Sequence, residues 1–140
     1  MENIFCTKVE LNKEIIALHK EVFKEDNASF FDALVTKPYY HIFAATQNDE
    51  LVAYCIIMLI DCEAEIINIA TKPEFRGLGI AAKLLQHVIT NTKADKFFLE
   101  VNVNNAAAIT LYKKCGFVPI GIRKNYYPDG DALNMQLDKR

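Results

Sequence analysis

Ten consecutive residues, Leu51–Ile60, are apolar except for the Tyr54 hydroxyl and the Cys55 thiol. A membrane-spanning helix needs about 20 such residues, twice what this run offers. An apolar run of this length, bounded by the polar stretches Gln47-Asn48-Asp49-Glu50 and Asp61-Cys62-Glu63, reads as a strand buried on both faces. The fold must therefore supply a layer on each side of a sheet. His41–Thr46, on the far side of the first polar stretch, reads as the antiparallel partner strand.

The next constraint is the stretch from Ile66 to Leu85. An apolar strand, Ile66–Thr71, within a segment extended from Glu65, meets Lys72-Pro73, and proline ends regular pairing there. Arg76-Gly77-Leu78-Gly79-Ile80-Ala81 follows, and then a helix to about Thr92. Ala81, Leu84, Leu85, Val88 and Ile89 fall on one helical face, with Lys83, Gln86, His87 and Thr90 on the other. A glycine loop that opens a helix makes an anion site: the first amides lack intrahelical partners and the dipole favours negative charge. A diphosphate fits that chemistry, with Arg76 as a neighbouring cation. The same glycines also serve a simple tight turn with close helix–strand contact. Gly77-Leu-Gly-Ile-Ala-Ala82 further matches a dinucleotide-binding fingerprint, with Glu100 on a ribose hydroxyl. The long connection through Lys72-Pro73, and the little chain left for further parallel strands, count against that match.

Elsewhere the pattern predicts a strand at Ile4–Lys8 and a helix at Lys13–Phe23 capped by Asn12. Glu25-Asp26-Asn27 breaks that helix. A second helix, capped by Ser29, runs to about Thr36 and is stopped by Pro38. Lys96–Asn102 is a strand with Phe97, Leu99 and Val101 on one face and Phe98, Glu100 and Asn102 on the other. Asn104 or Asn105 caps a helix over Ala106–Cys115, and Gly116 ends it. Phe117–Tyr127 is extended, Pro128-Asp129-Gly130 turns, and Leu133, Met135 and Leu137 alternate in a last strand. The order β-α-α-β-β-β-α-β-α-β-β predicts an α/β fold, a mixed sheet covered by helices.

Composition narrows the function classes. At 140 residues the chain is expected to form one domain over 1–140. A net charge of -2 argues against general nucleic-acid affinity. The N-terminus has no basic segment followed by an apolar run, so no signal peptide and no membrane attachment are expected. Cys6, Cys55, Cys62 and Cys115 show no metal-ligand spacing and read as reduced thiols in a cytoplasmic protein without a metal. His19 and His41 stand alone and read as packing or surface residues.

Two residues carry candidate chemistry. Glu100 is a carboxylate in an otherwise apolar strand; the spacing alone suits solvent or an ion pair, and partial burial would suit a general base. Tyr112 lies on the apolar side of its helix, as a packed aromatic or a proton donor. Arg123 with Tyr126-Tyr127-Pro128 either lines a pocket or completes a hairpin.

Together these segments resemble one family. Arg76-Gly77-Leu78-Gly79-Ile80-Ala81 fits the R/Q-x-x-G-x-G/A signature of the GNAT N-acetyltransferases, and Asn68-Ile69-Ala70-Thr71 resembles the strand before it. Leu99-Glu100-Val101, Asn104 to Ile109, Leu111-Tyr112, Gly116-Phe117 and Arg123 to Pro128 with Asp131-Ala132 resemble the RimI type, the ribosomal-protein-alanine N-acetyltransferases. The resemblance implies a mostly antiparallel central sheet with a splayed parallel strand pair, flanked by helices, and an acetyl-CoA-dependent transfer to a protein N-terminal amine. A small-subunit ribosomal protein is the implied partner, and the implied enzyme is a monomer or homodimer. Ile69, Ala70 and Thr71 would hold the acetyl and pantetheine groups. Arg76, Gly77, Leu78, Gly79, Ile80, Ala81 and Ala82 would hold the diphosphate, and Asn105 would contact the cofactor near its reacting end. Glu100 would be the base and Tyr112 the acid. A GNAT acting on a small amine or lysine, or a silent acyl-CoA-binding module, shares these features. The chain departs from the pattern at Asn102, where the family carries arginine. It departs again at Pro128-Asp-Gly-Asp-Ala132, which is shorter than the family's segment and lacks its glutamate. Both departures bear on the acceptor.

Overall fold

A computed structural model describes residues 3–24 and 28–139. Strand β1 (Ile4–Val9) leads into helices α1 (Lys13–Phe23) and α2 (Ala28–Val35). Strands β2 (Tyr40–Gln47), β3 (Glu50–Ile60) and β4 (Glu63–Thr71) form a meander. A single 3-10 turn, Pro73–Phe75, precedes α3 (Ile80–Asn91). Strand β5 (Lys96–Asn102), helix α4 (Ala106–Lys114), and strands β6 (Val118–Tyr127) and β7 (Gly130–Asp138) complete the chain. The expected element order holds.

One seven-stranded sheet has the order β1-β2-β3-β4-β5-β7-β6. Every neighbouring pair is antiparallel except β4 and β5. The β2–β3 connection is a two-residue turn, Asn48-Asp49, with φ of 50° and 66°. Asn and Asp tolerate that left-handed backbone, and its twist matches the strands it joins.

Residues Leu51 to Ile57 of β3 are all buried, as the apolar run requires. Cys55 and Ile57 pack with Leu84, Leu85, Phe97 and Phe117 on the α3/α4 side. Tyr54 and Ile56 pack with Ile15, Leu18, Phe31 and Leu34 on the α1/α2 side. His19 belongs to that second layer: it is 2 % exposed. Its Nδ1 shares a 2.6 Å hydrogen bond with the Tyr54 hydroxyl, and its ring stacks on Phe30. It is a core histidine, held through Nδ1.

The local signals mostly hold. Asn12 Oδ1 accepts from the Ile15 amide at 3.0 Å and caps α1. Asn105, not Asn104, caps α4, accepting from the Ala108 amide at 3.1 Å. Two expectations need correction. Ser29 lies inside α2 rather than capping it, because the helix already includes residue 28. The breaker Glu25-Asp26-Asn27 lies outside the described residues. Strand β4 starts at Glu63, earlier than expected, because Asp61, with φ of 55°, makes the turn with Cys62 alone.

One irregularity shapes the site. Along β3 the register moves from Ile56↔Asn68 to Ile57↔Ile66, which leaves Ile67 as an extra residue in β4. Such a bulge bends and twists its strand. The parallel pairing of β4 with β5 covers Glu63↔Lys96 to Glu65↔Phe98 and then stops. Beyond that point the two strands diverge, and the sheet is forked.

Candidate active site

The glycine loop borders one side of the fork. Arg76 Nε donates to the Thr71 carbonyl at 3.3 Å, folding the loop back on the end of β4. Gly77 and Gly79 have φ of 78° and 79°, a conformation that disfavours any side chain. Gly79 is the N-cap of α3, so no side chain caps the helix, and the first turn holds no acidic residue. The first amides of α3 therefore face outward with the positive end of the helix behind them.

A cavity of about 570 Å³ opens in front of those amides. Ile69, Ala70 and Thr71 line it from β4; Arg76, Gly77, Gly79, Ile80, Ala81 and Ala82 line it from the loop and helix. Asn105, Ala108 and Leu111 close it from α4, and Arg76 and Lys114 give it two cations. Nothing stands within 4 Å of the position a Cβ on Gly77 would take, so a ligand can approach the backbone there. Of the residues expected to hold the cofactor, the fold brings all but Leu78 into this one cavity; Leu78 is 54 % exposed and lines none of it. An apolar strand end, free helix amides and two cations suit an acyl thioester on a diphosphate carrier.

Glu100 faces a separate space. It lines a cavity of about 360 Å³ on the opposite sheet face, with Glu65, Phe98, Asn134 and, from β6, Ile120 and Arg123. Arg123 Nε stands 3.3 Å from Glu100 Oε2. That oxygen is buried, and no hydrogen bond of acceptable geometry reaches it. Arg123 also lies over the Tyr126 ring, 4.7 Å from its centroid, so it both lines the cavity and stiffens the hairpin.

The departures from the family pattern form a small network of their own. Asn102 Nδ2 donates to Asp129 Oδ1 at 2.7 Å, and Asn102 Oδ1 accepts from the Asn104 amide at 2.9 Å. Asn104 Nδ2 donates to the Asp129 carbonyl at 2.8 Å. A Cβ on Gly130 would come within 2.8 Å of Asn104 Nδ2, so the short hairpin needs its glycine. These contacts tie the β6–β7 turn to the end of β5, beside the cavity of Glu100.

Tyr112 is 7 % exposed and packs edge-to-face on Phe117. It lines neither cavity. Burial, then the neighbouring Cys55, Tyr127 and Cys115, raise its pKa and hold it as a neutral phenol. All four cysteines are free thiols. Burial pushes Cys55 up to about 12, which makes it inert. Among the described residues no group of three His, Cys, Asp or Glu is arranged to hold a metal. No helix among them is long and apolar enough to cross a membrane.

Sequence reasoning passed over Glu65 and Lys114. The signal for Glu65 was parity: it falls on the face of Phe98 and Glu100, but only once the β4–β5 register is known. Lys114 was an unremarked helix-end lysine, and only packing turns it toward the cofactor cavity.

Comparison with known proteins agrees with this geometry. Residues 6–117 match the family model for the acetyltransferase (GNAT) family. A Bacillus subtilis (strain 168) protein, provisionally named a ribosomal protein bS18-alanine N-acetyltransferase, is 42 % identical over 112 residues, covering 76 % of this chain and 74 % of its own length. The Escherichia coli (strain K12) ribosomal protein bS18-alanine N-acetyltransferase is 40 % identical over 105 residues, covering 70 % and 71 %. The crystal structure of the Escherichia coli ribosomal-protein-S18-alanine N-acetyltransferase superposes with a TM-score of 0.84 at 30 % identity, over 96 % of this chain and 93 % of that one. A GNAT acetyltransferase of Elizabethkingia anophelis with acetyl-CoA bound shares the fold, with a TM-score of 0.83 at 22 % identity over 99 % of both chains. The chain belongs to the GNAT acetyltransferase family and is an acetyl-CoA-dependent N-acetyltransferase.

Proposed function

We propose that the chain works as one catalytic domain over residues 1–140 that acetylates the free N-terminal α-amine of a protein in the cytoplasm, a small-subunit ribosomal protein by analogy with the relatives above. The observation that carries the chemistry is Glu100 Oε2, a buried carboxylate oxygen without a hydrogen bond, set in a cavity beside the fork of β4 and β5. A buried acceptor without a donor is costly on its own and is satisfied when an amine arrives.

Acetyl-CoA supplies the activated acetyl group. Backbone groups of Ile69, Ala70 and Thr71 hold its acyl end. The amides from Gly77 to Ala82, with Arg76 beside them, hold the diphosphate, and Asn105 contacts the cofactor near its reacting end. An α-amine has a pKa near 8 and is largely ammonium at neutral pH, unable to attack. Glu100 takes its proton, directly or through one water. Tyr112, held neutral by burial, gives a proton to the leaving sulfur. Positioning of the two substrates on either side of the fork supplies the remainder, with no covalent enzyme intermediate.

The test is CoA release with acetyl-CoA and two peptides, one with a free N-terminal alanine and no lysine, the other N-blocked with an internal lysine. Turnover on the free N-terminus alone supports the proposal. Turnover on the lysine peptide alone replaces the acceptor with a side-chain amine.

A further inference from the structure

Strand β4 changes its surroundings partway along. Up to Glu65 it is paired on both edges, with β3 and with β5. From Ile69 to Thr71 it is paired with β3 alone, through Cys55↔Ile69, Tyr54↔Ala70 and Ala53↔Thr71. The bulge at Ile67 lies between the two stretches, and Ile69, Ala70 and Thr71 line the cofactor cavity. A strand end fixed along one edge has half the ladder bonds of a central strand, so its direction beyond the bulge depends on what holds its faces.

On one face that hold is a buried polar contact. Asn68, the first residue after the bulge, has its Nδ2 3.4 Å from Nδ1 of His19 on α1. The same Nδ1 shares the 2.6 Å hydrogen bond with the Tyr54 hydroxyl, and Tyr54 stands directly across from Ala70. Asn68 Oδ1 is buried with no hydrogen bond, so the contact to His19 is what orients this side chain. His19 and Tyr54 are core residues, and in such surroundings water does not replace a lost partner. One turn further along α1, Val22 reaches the cofactor cavity. Side chains from α1, β3 and β4 thus meet at one ring nitrogen behind the strand end that lines the cofactor cavity.

We propose that His19 is a positioning residue for acetyl transfer: through Asn68 and Tyr54 it fixes the direction in which β4 leaves its bulge, and so the backbone groups of Ile69, Ala70 and Thr71. The proposal rests on the reading above that those three residues hold the acetyl end, and goes beyond it, since His19 itself lines neither the cofactor cavity nor the cavity of Glu100. A core that needed only packing at this position would be served by an apolar side chain. The imidazole adds a polar atom that two strands share.

The experiment compares His19→Leu, Asn68→Ala, their double variant and His19→Asn, each well below its melting transition. His19→Asn sets a side-chain amide near the place of Nδ1 and can keep the contact. One readout is the backbone amide NMR spectrum of the enzyme without cofactor. The other is kcat and KM on whichever of the two peptides above the wild type acetylates. In His19→Leu and Asn68→Ala the resonances of Ile69–Thr71 are expected to move while those of Gly77–Ala82 stay. The rate constant kcat is expected to fall by about tenfold or more with little change in KM for acetyl-CoA. His19→Asn is expected to recover most of that loss. The double variant is expected to lose no more than the worse single variant, because both break one contact. A role in stability alone would lower the melting temperature and move neither readout. Unmoved Ile69–Thr71 resonances, or losses in kcat that multiply in the double variant, overturn the role of His19 and leave the placement of the acetyl group standing. Moved resonances with kcat retained overturn that placement instead. If the wild type acetylates neither peptide, the functional reading fails, and the resonances alone decide whether His19 anchors β4.

Discussion

Glu100 Oε2 stands 3.3 Å from Arg123 Nε, yet the same oxygen is buried without a hydrogen bond. The pair is close enough for charge attraction and too poorly aligned to satisfy the carboxylate. The Arg123 side chain is 59 % exposed and that of Glu100 22 %, so the arginine is the more solvated partner. Exposed pairs of this kind contribute about 0–1 kcal/mol, so the arrangement does little for stability. It leaves a carboxylate that is charge-balanced and still open to a donor.

Glu100→Gln keeps the shape and removes the proposed base. Turnover is expected to fall by about 10²–10⁴-fold. Acetyl-CoA affinity is expected to stay unchanged, because the cofactor cavity shares no lining residue with the cavity of Glu100. Isothermal titration with CoA beside steady-state rates checks both halves. Full turnover in the variant removes Glu100 from the mechanism.

Tyr112→Phe keeps the ring against Phe117 and deletes one hydroxyl. The fold is expected to lose no more than about 1 kcal/mol, read by denaturant melting. Turnover is expected to drop by about 10²-fold or more while CoA still binds. A variant as active as wild type would make Tyr112 a packing residue only.

Gly77→Ala tests the backbone of the loop. The added methyl meets nothing, so its cost comes from φ of +78° alone. That cost is about 1–2 kcal/mol. A lower melting temperature and weaker CoA binding are expected together, since the loop relaxes toward negative φ and turns its amides away. Unchanged CoA affinity would show that the loop does not hold the diphosphate.

Glu65 predicts a pH-dependent stability. Its carboxyl is raised in the folded state, by burial first and then by Glu100. A raised folded value means stability fully present below the unfolded value and lost as pH rises through the folded one. Glu65→Gln escapes that loss. Its melting temperature is expected to match wild type at about pH 4 and exceed it slightly at about pH 7. A difference independent of pH would mean that the charge of Glu65 has no part in it.

The sequence by itself determined the local elements and one half of the site. Asn12 and Asn105 cap helices, Asn48-Asp49 turns a hairpin, and Gly77 and Gly79 open α3, because each acts over a few residues through its own hydrogen bonds or allowed φ. The cofactor cavity was legible for the same reason: the strand end, loop and helix start that build most of it are contiguous in the chain. The cavity of Glu100, the proposed acceptor half, was decided by tertiary structure. Glu65 and Glu100 sit on different strands, and Arg123 reaches them from β6, which is joined to β5 through β7. Their meeting depends on a parallel register that stops at Glu65↔Phe98 and on the extra residue Ile67 that bends β4 away. Register and bulge are long-range properties of paired strands, and a linear pattern of apolar residues does not specify them. The same holds for Tyr112: periodicity put it on an apolar face, and only the packed core set its depth and its charge state.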